Sequence, residues 1–268
     1  MAASEEQKDK AGTTDRDARF ETVSAAILVI GDEILSGRTR DRNINFLAGH
    51  LTAIGIDLRE ARVVPDRQEA IVAAVNALRQ VYDYVFTTGG IGPTHDDITA
   101  EALAAAFGVE LAEHEAAIRL LRSYYGADGL TRERRRMARA PLGAELVGDC
   151  DGHSPAFMIG NVFMLAGIPS ICEQMIASIT PFLRTGRRLI SLGMTVSAKE
   201  SDISALMRRH QDALAGIAIG SYPRFTEDGC EVSIVLRGPD RQALAAARAM
   251  LAEELAQSGA EISLSDPA

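Results

Sequence analysis

Six consecutive apolar residues, Ala25 to Ile30, run straight into Gly31. A short apolar run of this kind, bounded by a glycine, reads as a strand buried on both faces, which is what a parallel sheet covered by helices requires. The residues that follow fit such a sheet. Asp41 is placed to cap a helix whose apolar face is Ile44, Leu47 and Leu51, closed by Gly55. A strand is expected around Ile56 to Val64, then Asp66 with Glu69 resembles a capping box ahead of Ile71, Val75 and Leu78 at helical spacing. Tyr84 to Thr88 reads as a strand, Gly89-Gly90-Ile91-Gly92-Pro93 as a glycine-rich loop, and Ile98 to Phe107 as an alanine-rich helix. This β-α-β-α-β-α order predicts a three-layer α/β/α domain with a mostly parallel sheet and right-handed crossovers. Ligands in such folds sit outside the carboxyl ends of the strands. The loops Gly31–Gly37, Pro65–Asp66 and Gly89–Asp97 all leave strand ends of that kind, so three segments meet at one rim if neighbouring strands carry them.

Further along, Glu113–Tyr125 and Thr131–Ala140 read as helices. Ala156–Ile159 and Val162–Ala166 flank Gly160-Asn161, a two-residue hairpin signal, and a helix is expected over Ser170–Leu183. Thr185-Gly186 is a boundary, giving an α/β domain over 22–185 and a small α+β domain over 186–268. The order in the small domain is strand (Arg188–Val196), helix (Ser201–Leu214), strand (Ile217–Ser221), strand (Cys230–Leu236), helix (Asp240–Gln257). Residues 1–21 are polar and mixed in charge, with no apolar core of a secretory signal, and are expected to be a disordered tail. No apolar run reaches the ~18 residues of a membrane helix. The formal net charge of −9, from 37 acidic and 28 basic residues, disfavours a nucleic-acid partner. Cys150, Cys172 and Cys230 form no C-x-x-C pair, which fits reduced thiols in a cytoplasmic protein.

The segment Thr87 to Thr99 concentrates the chemistry. Its glycines allow close backbone approach, and free N–H groups ahead of a helix can cradle an anion. It matches neither G-x-x-x-x-G-K-[ST] nor G-x-G-x-x-G, so it is not a Walker loop or a dinucleotide fingerprint. Asp96 and Asp97 can be helix caps; beside an anion they instead suggest a divalent cation (Mg²⁺, Mn²⁺ or Co²⁺) held by carboxylates and substrate phosphates. No histidine–cysteine spacing suggests zinc, and the lone His95 is an exposed loop histidine or a phosphate contact. Glu33 is a metal ligand, a base activating water or an exposed loop acid. Asp41 and Asp66 are helix caps on local grounds, though Asp66 also stands at a strand end. Arg132, Arg135, Arg136 and Arg139 fall at i, i+3, i+4 and i+7, so on a helix they share one face that is solvated or grips phosphates. There is no G-x-S-x-G elbow, and Ser154 and Ser170 lack a visible His partner, so acyl transfer is not expected.

Taken together, Gly31-Asp32-Glu33-Ile34-Leu35-Ser36-Gly37, Asp41-Arg42-Asn43, Pro65-Asp66 and Thr87 through Thr99 resemble the molybdopterin-binding (MoaB/Mog-like) domain. The likeness continues in Arg135-Arg136, Gly143-Ala144-Glu145, Asn161-Val162-Phe163 and Gly167-Ile168-Pro169-Ser170, a pattern similar to competence/damage-inducible (CinA-type) proteins and to the related domain of eukaryotic FAD synthases. It covers about Ala25 to Leu183, and more loosely the small domain, where Lys199-Glu200-Ser201-Asp202 resembles the family's second domain. The resemblance implies an α/β/α core, a homo-oligomer (dimer or trimer), and a small-molecule ligand, a phosphate-bearing nucleotide or a pterin. It implies essential roles for Asp66 and Asp97 in handling pterin or Mg²⁺, and metal-dependent cleavage of a pyrophosphate bond of ADP-ribose or FAD type. Adenylylation of molybdopterin and non-catalytic binding are the alternatives. On this reading Glu33, Asp66 and Asp97 are catalytic, with Glu33 or Asp97 accepting the proton of water, and Asp66, Asp96 and Asp97 hold the metal. Gly31, Asp32, Ser36, Gly37, Asn43, Thr88, Gly89, Gly90, Gly92, Pro93, Thr94, Thr99, Arg135, Arg136, Pro169 and Ser170 contact the ligand. The sequence departs from the family at Ala166 (usually Pro), at Ile171 (usually Glu) and in the loop Gly152-His153-Ser154-Pro155. The nicotinamide-nucleotide amidase domain that often follows in this family is not expected, since the sequence stops at Ala268.

Overall fold

The computed structural model describes residues 22–147, 154–226 and 229–265; the expected tail over 1–21 and Cys150 lie outside these. The chain divides into two compact units, Met1–Gly186 and Arg187–Ala268. In the first unit the order is β1 (Val23–Ile30), α1 (Asp32–Leu35), α2 (Asn43–Ala53), β2 (Ile56–Val64), α3 (Gln68–Arg79), β3 (Tyr84–Thr88) and α4 (Thr99–Phe107). Then come β4 (Leu111–Glu113), α5 (Glu115–Tyr125), α6 (Arg132–Arg136), β5 (Arg139–Pro141), β6 (Glu145–Leu146), β7 (Phe157–Ile159), β8 (Val162–Leu165) and α7 (Pro169–Ile179), which runs into a 3₁₀ turn at Thr180–Phe182.

The main sheet has the order β2-β1-β3-β8-β7-β6. The pairs β1·β2, β1·β3 and β3·β8 are parallel, and β7 pairs antiparallel with both β8 and β6. The mostly parallel three-layer α/β/α reading therefore holds. Every residue of β1 is buried, because its side chains alternate between two cores. Ala26, Leu28 and Ile30 meet Ile71, Val75 and Leu78 of α3 and Leu103 of α4. Ala25, Ile27 and Val29 meet Leu47 and Leu51 of α2 and Cys172, Met175 and Ile176 of α7. Each fully buried Leu or Ile here is worth ~1.5–3 kcal/mol relative to exposure, so β1 is the element both faces depend on.

Three local expectations are corrected. The helix over Thr131–Ala140 ends at Arg136; Ala138 lies outside it, and Arg139–Pro141 instead pairs antiparallel with Leu111–Glu113. Pro141 can occupy that short strand but restricts Ala140 to extended backbone. Asp66 does not cap α3: the N-cap position is Arg67, with no side-chain cap. The helix over Ser170–Leu183 is α-helical only to Ile179.

The second unit runs β9 (Ile190–Ser197), α8 (Glu200–Ala213), β10 (Ala218–Thr226), β11 (Gly229–Gly238), α9 (Arg241–Gln257) and β12 (Glu261–Ser265). Its antiparallel sheet has the order β10-β11-β9-β12, and one core joins Leu192, Met194 and Val196 to Ile234, Leu244 and Leu251. The strand expected at Ile217–Ser221 extends to Thr226, and β12 adds an edge strand.

Candidate functional site

β1, β2, β3 and β8 are neighbours in parallel, so the segments leaving their carboxyl ends share one rim. The first contact across it joins the loops after β1 and β2. Asp66 Oδ2 accepts a hydrogen bond from the Asp32 backbone N–H at 2.8 Å. Its pKa is raised, first by partial burial and then by the nearby carboxylates of Glu33, Asp32 and Asp96, against the pull of the Asp32 N–H. That one aspartate senses carboxylates from the loops after β1 and β3 as well as its own position after β2. Glu33 folds back over Gly31, where an added Cβ would stand 2.6 Å from its carboxylate oxygens. The Ser36 hydroxyl donates within its own turn, to Glu33 O at 3.3 Å.

The glycine loop is fixed by steric need. Gly89 has φ +96°, and a Cβ there would lie 2.2 Å from Ile30 O; Gly90 has φ +65°, and a Cβ would lie 2.3 Å from Thr99 Oγ1. Only glycine fits such positions without backbone movement. Thr99, fully buried at the start of α4, donates its hydroxyl to Gly89 O at 2.9 Å and its N–H to Gly90 O at 3.0 Å. Gly89 N–H donates to Leu165 O at 3.2 Å, but among the described residues no backbone acceptor takes the N–H groups of Gly90, Ile91 or Gly92. On the far side Asn43 Nδ2 donates to Gly167 O at 2.9 Å, and Gly167 packs so closely on the loop that a Cβ would lie 3.2 Å from Gly89 Cα. Asn43 and Thr88 are buried, and among the described residues the Asn43 Oδ1 and Thr88 Oγ1 atoms have no hydrogen-bond partner. Pro169 opens α7 in the first-turn position a proline favours, with Ser170 exposed beside it.

Asp96 and Asp97 do not cap α4, whose N-cap position is Ile98. Instead the Thr94 N–H donates to Asp97 Oδ2 at 2.8 Å, and the Thr94 hydroxyl lies between Asp96 Oδ1 and Asp97 Oδ2. That hydroxyl holds the Asp96 carboxyl below its usual range. His95 and Pro93 are exposed at the tip. Among the described residues no group of three or more His, Cys, Asp or Glu side chains is placed to hold a metal ion by itself.

The arginines do not form one helical face. Arg135 is engaged by Glu113, with its Nε donating to Glu113 Oε1 at 3.0 Å. Arg136 is turned toward the glycine loop: its Nη2 donates to Asp97 O at 3.3 Å and lies 3.6 Å from Glu101 Oε1. Arg139, on β5, pairs with the same Glu101 oxygen at 2.9 Å. Gly90, Gly92, Asp97, Glu101, Arg136 and Arg139 line one pocket beside the loop. Glu101 is the residue that sequence reasoning passed over; it is the single charged side chain in the alanine-rich helix α4, and that isolation was its signal. Asp41 does satisfy an N–H in the first turn of α2, its Oδ1 accepting from Ile44 N–H at 2.9 Å, although the N-cap position itself is Arg42.

A mostly parallel α/β/α sheet whose rim carries a sterically fixed glycine loop facing carboxylates defines an open-sheet α/β domain of the small-molecule-binding type. Residues 26–185 match the family model described as "Probable molybdopterin binding domain", and the chain belongs to that family. Residues 188–262 match the model described as "FAD synthase, middle domain". A protein of Pyrobaculum arsenaticum is 32% identical over 216 residues, covering 76% of this chain and 82% of that one. A "Probable FAD synthase" of Caenorhabditis briggsae is 30% identical over 258 residues, covering 87% of this chain; the chain spans 49% of that relative's length. The crystal structure of the protein CinA, described as of unknown function, from Thermoplasma acidophilum is 32% identical with a TM-score of 0.56, covering 60% of this chain and 98% of that one. The chain is accordingly a MoaB/Mog-like protein of CinA type. No helix among the described residues is long and apolar enough to cross a membrane.

Proposed function

We propose that the rim binds a nucleotide or pterin through its phosphates and, with a divalent cation, hydrolyses a pyrophosphate bond of ADP-ribose or FAD type. The observation that carries this reading is Asp66. Its carboxylate is pinned to the Asp32 N–H and surrounded by the like charges of Asp32, Glu33 and Asp96, an arrangement a cation relieves. The donors are all oxygen, which suits Mg²⁺ or Mn²⁺ better than zinc. No trio of protein carboxylates suffices among the described residues, so substrate phosphates complete the shell, as is usual for Mg²⁺. Asp66 and Asp96 would hold the ion, with Asp97 beside them; bound there, it would polarise phosphorus and acidify water.

The protein's own contribution is placement. The N–H groups of Gly90 to Gly92 and the α4 N-terminus favour the phosphate charge. Arg136, on the pocket wall, stabilises charge developing on the leaving phosphate, and Glu33 takes the proton of the attacking water. The relatives' printed names, molybdopterin binding and FAD synthase, support a ligand of this class.

The test is release of AMP from ADP-ribose, FAD and NAD, with and without Mg²⁺, Mn²⁺ or Co²⁺, using Asp66→Asn and Asp97→Ala as controls. Metal-dependent AMP that both variants lose supports hydrolysis. Tight ligand binding with no AMP from any substrate replaces it with a non-catalytic nucleotide or pterin module.

A further inference from the structure

We propose that Arg139 is a positioning residue of the rim: by engaging Glu101 it holds that carboxylate off Arg136, whose guanidinium stays free to receive a phosphate of the ligand. The inference rests on the phosphate-binding reading of the rim. Arg136, Arg139 and Glu101 line one pocket with Gly90, Gly92 and Asp97. Within it two arginines share a single oxygen. Arg139 Nη2 lies 2.9 Å from Glu101 Oε1, a hydrogen-bonded ion pair, whereas Arg136 Nη2 lies 3.6 Å from the same atom, beyond hydrogen-bond reach. Two further carboxylates lie close by and are already engaged. Glu113, the cross-strand neighbour of Arg139, takes Arg135. Asp97 takes the Thr94 N–H with its Oδ2 and offers Arg136 its backbone carbonyl, at 3.3 Å.

Arg136 is left with unspent hydrogen-bonding capacity. A guanidinium carries five N–H donors, and among the described residues the hydrogen bond it makes is the one from Nη2 to Asp97 O. Its Nε atom is buried and has no acceptor among the described residues, so what fills the pocket, water or a ligand oxygen, must supply one. Two parallel N–H bonds from one guanidinium are the usual grip on a phosphate or a carboxylate. Glu101 carries such a carboxylate, 0.7 Å farther from Arg136 than from Arg139 (3.6 against 2.9 Å). Both partners of the tight pair stand on fixed backbone. Glu101 projects from the first turn of α4, between buried Ala100 and Ala102, and Thr99 ties that turn to the glycine loop. Arg139 is held on β5, between buried Ala138 and Ala140. The side chains of Glu101, Arg139 and Arg136 are 26%, 29% and 31% exposed, so water screens them only in part. Without the Arg139 charge, Glu101 is a partly buried carboxylate whose nearest remaining cation is Arg136. It is then drawn onto that guanidinium and competes with the phosphate for it.

The experiment titrates a non-hydrolysable α,β-methylene analogue of ADP-ribose, with Mg²⁺, into wild type, Arg139→Met, Glu101→Gln and the double variant Glu101→Gln/Arg139→Met, by isothermal titration calorimetry. Methionine keeps the apolar stem of the arginine, and thermal unfolding of each variant reports its fold. Arg139→Met is expected to bind the analogue roughly five-fold weaker, the size of one ionic hydrogen bond discounted for partial exposure. Glu101→Gln is expected to bind it as tightly as wild type or tighter. The double variant decides the matter: with no carboxylate to be drawn onto Arg136, its affinity is expected to return to within about two-fold of wild type. A double variant as weak as Arg139→Met shows Arg139 gripping the phosphate itself, and an Arg139→Met affinity equal to wild type shows that Glu101 does not compete. Either result overturns the positioning role and leaves the phosphate site standing. A loss of affinity in Glu101→Gln, which keeps the size of the side chain, overturns it independently of how well Arg139→Met folds. Absence of binding in wild type removes the phosphate reading and the positioning role with it.

Discussion

Replacing Gly89 by alanine tests whether the glycine loop is held where the site needs it. At φ +96° the added Cβ would stand 2.2 Å from Ile30 O, the last carbonyl of β1. The left-handed backbone alone costs an alanine ~1–2 kcal/mol. Relieving the clash requires a shift of on the order of 1 Å, and atoms of β1 cannot give way inside a close-packed core. The movement falls on Gly89, whose N–H donates to Leu165 O at 3.2 Å and whose carbonyl accepts from Thr99 Oγ1 at 2.9 Å. Losing both bonds adds ~2 kcal/mol, for a total of ~3–4 kcal/mol. Gly108 is the control: it ends α4 at φ +67°, with nothing within 4 Å of an added Cβ, so alanine there meets the strain alone. For a unit of this size the two losses correspond to roughly 10 °C and roughly 3 °C in Tm. Thermal unfolding followed by circular dichroism, with urea midpoints as a check, separates the two. Equal losses for Gly89→Ala and Gly108→Ala would refute the claim that the loop is packed against β1.

Other consequences follow from the contacts described. Ser24 donates its N–H and hydroxyl to Asp83 Oδ2, each at 2.8 Å, and Arg184 Nη2 lies 2.7 Å from Oδ1. The Ser24 N–H is the largest cause holding the Asp83 carboxyl below its ordinary range. A folded value below the unfolded ~3.9 gives stability that is present above the unfolded value and lost as pH falls through the folded one. Asp83→Asn is therefore expected to cost ~1–2 kcal/mol at neutral pH, with the gap from wild type closing in acid; urea titrations at both pH values check it, and a constant gap contradicts it. Because Glu113 already engages Arg135 while Arg136 lines the pocket with Asp97, Arg135→Ala is expected to leave AMP release within about two-fold. Arg136→Ala is expected to lower it roughly ten-fold or more, and equal losses would contradict that assignment. Burial pushes the Cys172 thiol up to about 12, so Cys172 should resist alkylation until the protein is unfolded, as mass spectrometry of labelled peptides would show.

The parallel sheet was readable because its signals are local. Ile56–Val64 and Tyr84–Thr88 are bounded by their own glycines and turns, and the structure keeps those bounds. The contact of Asp41 is likewise local, a carboxylate reaching an N–H three residues on. Asp66 has the same spacing to Glu69, yet it turns away because a donor 34 positions earlier in the chain, the Asp32 N–H, competes for it. Local spacing does not reveal such a partner. The arginine stripe fails for a related reason. Its i, i+3, i+4, i+7 spacing is helical, but Pro141 and pairing with Leu111–Glu113 draw Arg139 into a strand. Glu113 and Glu101, which then take up the arginines, lie 22 or more residues away in sequence. β12 was legible in principle, since Glu261-Ile262-Ser263-Leu264-Ser265 alternates polar and apolar at the strand period.

On the proposed reading, carboxylates of the rim and phosphates of the ligand hold one cation between them. That reading is tested most directly by titrating Mn²⁺ into the protein, followed by electron paramagnetic resonance, with and without a non-hydrolysable α,β-methylene analogue of ADP-ribose. Weak Mn²⁺ binding alone, tightened by the analogue in wild type and not in Asp66→Asn, is the predicted result. Mn²⁺ affinity that is indifferent both to the analogue and to Asp66 would contradict it.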